Sequence, residues 1–119
     1  MDERTRFGSW GEEQIIQYLK NRGFTFITRN FKTRRGEVDL IVAKDDLFAF
    51  VEVKTRNNPQ FEVATVVTQS KQRKIIMACK EFLLKNQISE KVCRFDVAVV
   101  IVNSEKVTIE YIENAFYGE

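Results

Sequence analysis

The sequence predicts an α/β fold with a central mixed β-sheet of about five strands flanked by helices, in the order αβββαββ. Three observations support this class. Two amphipathic helical segments alternate with several strand-like segments. A short polar turn joins two strands as a hairpin, and the second of these strands is apolar on both parities, as a central strand covered on both faces would be. With 119 residues, 44% of them hydrophobic, the chain is expected to form a single domain, residues 1–119.

The first helix and the first three strands follow from hydrophobic periodicity and turn residues. The helix is predicted over residues 8–22. Strands are predicted over residues 24–31, 38–43 and 47–54, and a polar turn joins the last two. Residues 57–60, which contain the only proline, predict a loop.

The second half of the chain predicts one more helix and two more strands. Thr68 or Ser70 could cap the helix, which continues to about Lys85. Residues 95–102 are rich in β-branched side chains, and residues 107–112 alternate between apolar and polar, so both segments are predicted as strands.

The composition excludes several kinds of catalytic site. The chain has no histidine, which excludes Ser-His-Asp and Cys-His catalysis and any His-ligated zinc site. The two cysteines, Cys79 and Cys93, are too few for a thiolate-only metal site and are expected to be reduced thiols. Carboxylates without histidine suit hard cations such as Mg²⁺ or Mn²⁺.

Charge and hydropathy indicate a cytoplasmic protein with no membrane association. The net charge is only +2, so any basic surface that binds nucleic acid must be local. No apolar run is long enough to span a bilayer, and the first ten residues lack the basic-then-apolar layout of a signal peptide.

Asp39, Glu52 and Lys54 form the candidate catalytic site, because they lie within otherwise apolar strands. Charges in such positions are costly unless they are paired or bound to a metal. Asp39 and Glu52 can supply metal ligands from adjacent strands, and the carbonyl of Val53 could add another. Lys54 lies two residues after Glu52 on the same strand face, so its amine could orient or deprotonate water or neutralise phosphate charge. The alternative is a surface ion pair between Glu52 and Lys54, with Asp39 solvated.

Glu12 is the fourth candidate. At about 100° per residue it falls on the apolar face of the first helix, with Ile15, Ile16 and Leu19. The helix dipole alone would favour a glutamate in the first turn, but it does not explain this orientation. We expect Glu12 to act in the outer shell of the metal site or as a partner of metal-bound water.

Five further residues lie near these candidates or at strand ends. Gly8 and Gly11 lie near Glu12, where small residues would let backbone or a ligand approach. Trp10, on the opposite face of the helix, could pack under the N-terminal residues or stack on a base, and we favour packing. Asp96 begins a buried strand beside Arg94, and a structural pair is the favoured interpretation.

A basic surface is predicted around the start of the second helix. Lys71, Arg73 and Lys74 crowd its first turns, where positive charge opposes the helix dipole and a bound phosphate would remove the conflict. They could line one nucleic-acid-binding cleft with other polar residues, namely Arg34, Arg35, Lys54, Arg56 and Gln69. The alternative is a solvated charged face.

The chain resembles the YraN-like uncharacterised protein family over nearly its whole length. The matching residues run in the family's order: Gly8, Gly11-Glu12, Asn30, Gly36-Glu37-Val38-Asp39-Leu40-Ile41, Phe50-Val51-Glu52-Val53-Lys54-Thr55-Arg56, Lys71, Arg94-Phe95-Asp96-Val97 and Asn114-Ala115-Phe116. The central signature, from Glu37 to Arg56, is far more specific than an isolated Glu-Val-Lys.

That family resembles archaeal Holliday-junction resolvases and has the restriction-endonuclease-like fold. The resemblance therefore implies a PD-(D/E)xK site at Glu12, Asp39, Glu52 and Lys54, with Mg²⁺ or Mn²⁺ as cofactor. Val38 stands where the idealised motif has proline.

Three functional hypotheses follow. The first is a metal-dependent nuclease that hydrolyses phosphodiester bonds of DNA, including branched or structured DNA; junction resolution would need two sites, so a homodimer is plausible. The second is a non-catalytic nucleic-acid-binding protein of the same fold. The third is a protein interaction module in which Glu52 and Lys54 form a structural pair.

Overall fold

The computed structural model describes residues 2–57 and 67–118. Its elements occur in the predicted order, and the predicted α/β class is confirmed. They are α1 (Glu3–Lys20), β1 (Thr25–Lys32), β2 (Glu37–Lys44), β3 (Leu47–Arg56), α2 (Gln69–Lys85), β4 (Val92–Asn103) and β5 (Lys106–Phe116).

The described strands form one mixed sheet in the order β1-β2-β3-β4-β5. Neighbouring strands are antiparallel except β3 and β4, which are parallel and lie on either side of α2 in the chain. The predicted β2–β3 hairpin is confirmed, since Lys44 pairs with Leu47. Parallel strands need a crossover, and α2 lies within that connection. This topology is consistent with the restriction-endonuclease-like fold that the family resemblance implies.

The two helices cover opposite faces of the sheet. Ile15, Ile16 and Leu19 of α1 pack on one face, in a cluster that includes Val51 of β3. The face covered by α2 carries the second cluster, which includes Phe50 of β3. Strand β3 is therefore covered on both faces, as its unbroken apolar sequence predicts. Each fully buried aliphatic side chain in these clusters, such as that of Ile15, contributes about 1.5–3 kcal/mol to the free energy of unfolding.

Helix α1 begins five residues before the predicted start at Gly8, so that prediction was wrong. Asp2 caps the helix, because its Oδ1 accepts a hydrogen bond from the Thr5 N–H at 2.8 Å. Glu3 in the first turn also favours the helix through the dipole. The early residues are charged and give no apolar periodicity, so only the cap signals the start. The extra turn places Arg4 and Phe7 on the helix.

The other boundaries differ by smaller amounts. Strand β4 begins at Val92 rather than residue 95, and β5 continues to Phe116 rather than residue 112. Both extensions flank Asp96, where the pairing register shifts between Phe95 and Val97. Most of the predicted loop, residues 58–60, lies outside the described residues. Neither helix in the described ranges is long and apolar enough to cross a membrane.

Candidate active site

The site begins where β2 separates from β3. The two strands pair from the hairpin turn as far as Leu40 and Val51. Beyond that point β2 stays paired with β1, and Asp39 lies at the fork. Its Oδ2 accepts a hydrogen bond from the Val53 N–H at 2.8 Å. The fork therefore directs a carboxylate toward β3 and positions it with a backbone amide.

Glu52 is buried in the next strand, with 2% of its side chain exposed. Its Oε2 lies 3.0 Å from Lys54 Nζ, so the expected common face of these residues is confirmed. Its Oε1 is buried and accepts no hydrogen bond from any described residue. A buried acceptor without a partner costs about 1–3 kcal/mol. Glu52 therefore offers one oxygen to an external donor or cation.

Asp39 and Glu52 are electrostatically coupled. Burial and the nearby charge of Glu52 raise the pKa of Asp39 to about 7, against the opposing hydrogen bond from Val53. The two carboxyl groups do not ionise independently, and Asp39 is only partly ionised near neutral pH. A divalent cation between them would remove that repulsion.

Glu12 reaches the same region from α1. Its side chain is 14% exposed, against 51% for Glu13, so the predicted orientation toward the sheet is confirmed. Its Oε1 accepts hydrogen bonds from Arg29 Nη2 at 2.9 Å and from Asn30 Nδ2 at 3.4 Å. Burial raises the pKa of Glu12, and the charge of Asp39 raises it further against the Arg29 hydrogen bond.

Sequence reasoning missed the role of Arg29. It also missed the backbone conformation of Asn30, which has a positive φ of 54° that asparagine tolerates better than most residues. Both residues lie on β1 opposite the Asp39 fork. An Arg-Asn pair just before the end of a strand is the only sequence signal that could have identified them.

Lys71 closes the site from the start of α2. Thr68 caps this helix by accepting a hydrogen bond from the Lys71 N–H at 3.1 Å, in line with one of the two predicted caps. Lys71 Nζ lies 3.2 Å from Glu37 Oε1 and 4.0 Å from Glu52 Oε1. Glu37 is therefore half-buried in an ion pair, and its hydrogen bond with Lys71 lowers its pKa.

These side chains line an open cleft of about 330 Å³. All four predicted catalytic residues contribute to it, together with Val53, Arg56 and Lys71. Gly8 lines the cleft beside Glu12, as expected, whereas two further residues of α1, Arg4 and Phe7, were not predicted to belong to the site. They were missed because the helix was predicted to start at Gly8.

The predicted basic residues do not share one cleft. Arg56 and Lys71 line the site. Arg34, Arg35 and Lys74 line a separate hollow of about 180 Å³ beside Glu37. Gln69 and Arg73 line a third concavity on α2. The sequence could not resolve this division, because it depends on how the β1–β2 connection sits against α2.

A divalent cation fits the paired carboxylates. In the described ranges, no three acidic or cysteine side chains lie close enough together to enclose a metal ion. A cation here would therefore depend on Asp39 and Glu52, with a backbone carbonyl such as that of Val53, water and substrate phosphate completing its shell. Mg²⁺ is commonly bound in this way, by one or two carboxylates. The Oε1 of Glu52, which accepts no hydrogen bond within the described residues, and the raised pKa of Asp39 both fit this arrangement.

Asp96 lies outside the cleft and has a structural environment. It is fully buried and accepts two hydrogen bonds of 2.9 Å from the Arg94 guanidinium. The Tyr111 hydroxyl and the Asn114 N–H, both from β5, also donate to it. Burial, together with the Asp96 charge, raises the pKa of Tyr111. The network joins β4 to β5, as the favoured structural interpretation expects.

The two cysteines are free thiols. Cys79 is buried and Cys93 half-buried, and burial raises the pKa of both. A raised pKa keeps the thiol protonated and unreactive, in keeping with a structural role.

Comparison with known proteins identifies the family. Residues 11–100 match the model of the uncharacterised protein family UPF0102, a range that includes every predicted catalytic residue. A UPF0102 protein of Alkaliphilus oremlandii is 39% identical over 114 residues, covering 93% of this chain and 97% of the relative. One of Trichlorobacter lovleyi is 43% identical over 113 residues, covering 92% and 88%. The YraN-like resemblance is thus confirmed, and the chain belongs to the uncharacterised protein family UPF0102.

Proposed function

We propose that this protein is a nuclease that hydrolyses phosphodiester bonds of DNA with Mg²⁺ or Mn²⁺ held by Asp39 and Glu52. The observation that carries the proposal is the buried Oε1 of Glu52, which accepts no hydrogen bond from the described residues and lies in the same cleft as the carboxyl of Asp39. A cation bound there would polarise the scissile phosphate and lower the pKa of water. The remaining tasks are to activate water and to neutralise charge on the phosphate, and side chains of this chain perform both.

Lys54 is the proposed activating residue. Its Nζ lies 3.0 Å from Glu52 Oε2 and the side chain is 25% exposed, so it is anchored but can be reached from the cleft. From that position the ammonium can orient the attacking water and neutralise charge that develops on the phosphate. Lys71, on the other side of Glu52, can share the second task.

Glu12 is proposed to act from the helix side. Arg29 and Asn30 hold one of its oxygens, which fixes the direction of the carboxylate. Its raised pKa suits a group that accepts a proton from water. Glu12 therefore completes the site by contacting water within the cleft.

DNA is the proposed substrate because cationic side chains surround the site. Arg56 and Lys71 line the cleft itself, while Arg34, Arg35 and Lys74 form a second basic hollow that could contact phosphates farther along the strand. The resemblance to junction resolvases favours branched or structured DNA. A symmetric homodimer would supply the paired cuts that such a substrate needs.

The proposal is tested by incubating the protein with Mg²⁺ or Mn²⁺ and labelled single-stranded, duplex, flap and four-way-junction DNA. We expect cleavage by the wild type and a loss of at least about 100-fold in Glu52→Gln. Glu110→Gln is the matched control, because Glu110 is an exposed glutamate of β5 that does not line the cleft. Salt-sensitive binding without turnover would instead support the non-catalytic nucleic-acid-binding alternative. Neither binding nor cleavage would support the interaction module.

A further inference from the structure

The first half of α1 forms one wall of the cleft. Arg4, Gly8 and Glu12 follow one another at four-residue intervals, so they lie along a single helix face, and Phe7 lies beside them. All four residues line the same cleft as Asp39 and Glu52. Whatever binds over the two carboxylates therefore also meets this wall.

Packing requires one of the two glycines on α1 but not the other. A Cβ on Gly11 would lie 1.8 Å from Thr55 Oγ1, so packing against β3 requires glycine there. A Cβ on Gly8 would meet no atom within 4 Å, so packing does not require glycine at that position. A glycine inside a helix costs about 1 kcal/mol relative to alanine. Gly8 therefore lowers the stability of the helix, and no contact within the described residues explains why glycine is present. Its effect is to leave open space in the cleft.

An aromatic ring borders that space. The rings of Phe7 and Trp10 stack with centroids 5.9 Å apart and an interplanar angle of 6°. Phe7 lines the cleft, whereas Trp10 is not among the lining residues and is 36% exposed. Trp10 thus stacks on Phe7, a neighbouring residue of the same helix. The stack restricts the Phe7 ring, and a restricted aromatic ring loses little entropy when a ligand stacks on it.

We propose that Phe7 is a stacking surface for an unpaired base, that Gly8 leaves room for its nucleotide, and that Arg4 contacts a flanking phosphate. The inference rests on the proposed nuclease function and deepens it, because it defines the substrate class. Bases within a continuous duplex already stack on their neighbours and cannot use Phe7 without being extruded. The site therefore selects nucleic acid with single-stranded nucleotides at the scissile phosphate.

The test uses Glu52→Gln protein, so that binding is measured without cleavage, and oligonucleotides that carry the fluorescent base 2-aminopurine. We expect single-stranded oligonucleotide to bind with quenching of 2-aminopurine, and Phe7→Leu to weaken this binding by about 5- to 100-fold and remove the quenching. Duplex binding should change less than twofold. Phe24→Leu is the matched control: Phe24 is also half-buried but follows the opposite end of α1.

A second variant tests the role of the open space at Gly8 separately from stacking on Phe7. Gly8→Leu should fill the open region and weaken single-strand binding by a similar factor while the thermal melting temperature stays equal or rises. Equal single-strand affinity in Phe7→Leu and Phe24→Leu would overturn the inference, as would an equal loss of duplex binding. Cleavage by Phe7→Leu with unchanged substrate preference would overturn it and leave the nuclease proposal standing. Quenching by a wild type that never cleaves would overturn the nuclease proposal alone.

Discussion

Asp39 shows how the candidate site is held in an unfavourable state. Its carboxyl is buried beside Glu52, and both burial and that neighbouring charge oppose its ionisation. The Val53 amide compensates only in part. Functional sites often retain such conflicts, because the ligand rather than the fold resolves them.

The pH dependence of stability follows from this conflict. The folded-state pKa of Asp39, about 7, lies above its ordinary value of 3.8, so between these values the folded protein binds more protons than the unfolded chain. The contribution of Asp39 to the free energy of unfolding must therefore fall as pH rises through this window. Asp39→Asn keeps an acceptor for the Val53 N–H but removes the charge. We expect it to raise the free energy of unfolding at about pH 8 by at least about 1.4 kcal/mol.

Urea unfolding at about pH 5 and about pH 8, in metal-free buffer, measures this effect. Asp46→Asn serves as the control, because Asp46 is an aspartate on the exposed hairpin turn. Added Mg²⁺ should raise the stability of the wild type at the higher pH more than that of Asp39→Asn. A variant less stable than the wild type at about pH 8 would contradict the account.

Lys54 supports a second prediction at the residue scale. Lys54→Ala should reduce cleavage by at least about 100-fold, because it removes the ammonium that orients water and balances phosphate charge. The Mn²⁺ affinity of Lys54→Ala should stay within about threefold of the wild-type value, because Asp39 and Glu52 remain. Lys44→Ala, on the opposite end of the hairpin strands, is the control. Retained cleavage in Lys54→Ala would remove the lysine from its assigned role.

At the scale of elements, the contact between α1 and β3 places Glu12 beside the fork. Gly11 permits this contact, because a Cβ there would overlap Thr55 Oγ1. We expect Gly11→Ala to lower the free energy of unfolding by about 1–3 kcal/mol through overpacking. Gly8→Ala, three residues earlier on the same helix, should raise it by up to about 1 kcal/mol. Urea unfolding of the pair checks both signs, and stabilisation by Gly11→Ala would show that the helix can shift freely.

The Asp96 network supports a prediction for the β4–β5 pair. Asp96 neutralises Arg94 and receives further hydrogen bonds from β5. Removing one partner of a buried ion pair leaves the other uncompensated, so Asp96→Ala should cost about 3–5 kcal/mol. Thermal unfolding provides the measurement. If Asp96→Ala instead left stability unchanged while abolishing cleavage, Asp96 would belong to the site.

At the scale of the whole molecule, the sequence correctly predicted those structural features that depend on a local pattern. The period-2 strands, the polar turn at Asp45 and the two-sided apolar β3 predict the element order and the sheet, and the structure confirms both. The two-residue spacing of Glu52 and Lys54 likewise predicts their contact. The catalytic and metal-binding roles of these residues remain predictions.

Other features depended on distant contacts that no local pattern encodes. The Arg29 hydrogen bond to Glu12 joins residues from different elements. The division of the basic residues depends on the tight contact of Gly36 with α2, where a Cβ would lie 2.4 Å from the Ala78 nitrogen. The true start of α1 depends on the Asp2 cap rather than on periodicity, and it brings Arg4 and Phe7 to the cleft.

The central claim is that Asp39 and Glu52 together hold a divalent cation, and direct titration with Mn²⁺ tests it most simply. Electron paramagnetic resonance reports free Mn²⁺ as the ion is added to wild-type and Glu52→Gln protein without nucleic acid. The account predicts a saturable site in the wild type and at least about tenfold weaker binding in Glu52→Gln. Equal Mn²⁺ uptake by both proteins would contradict it.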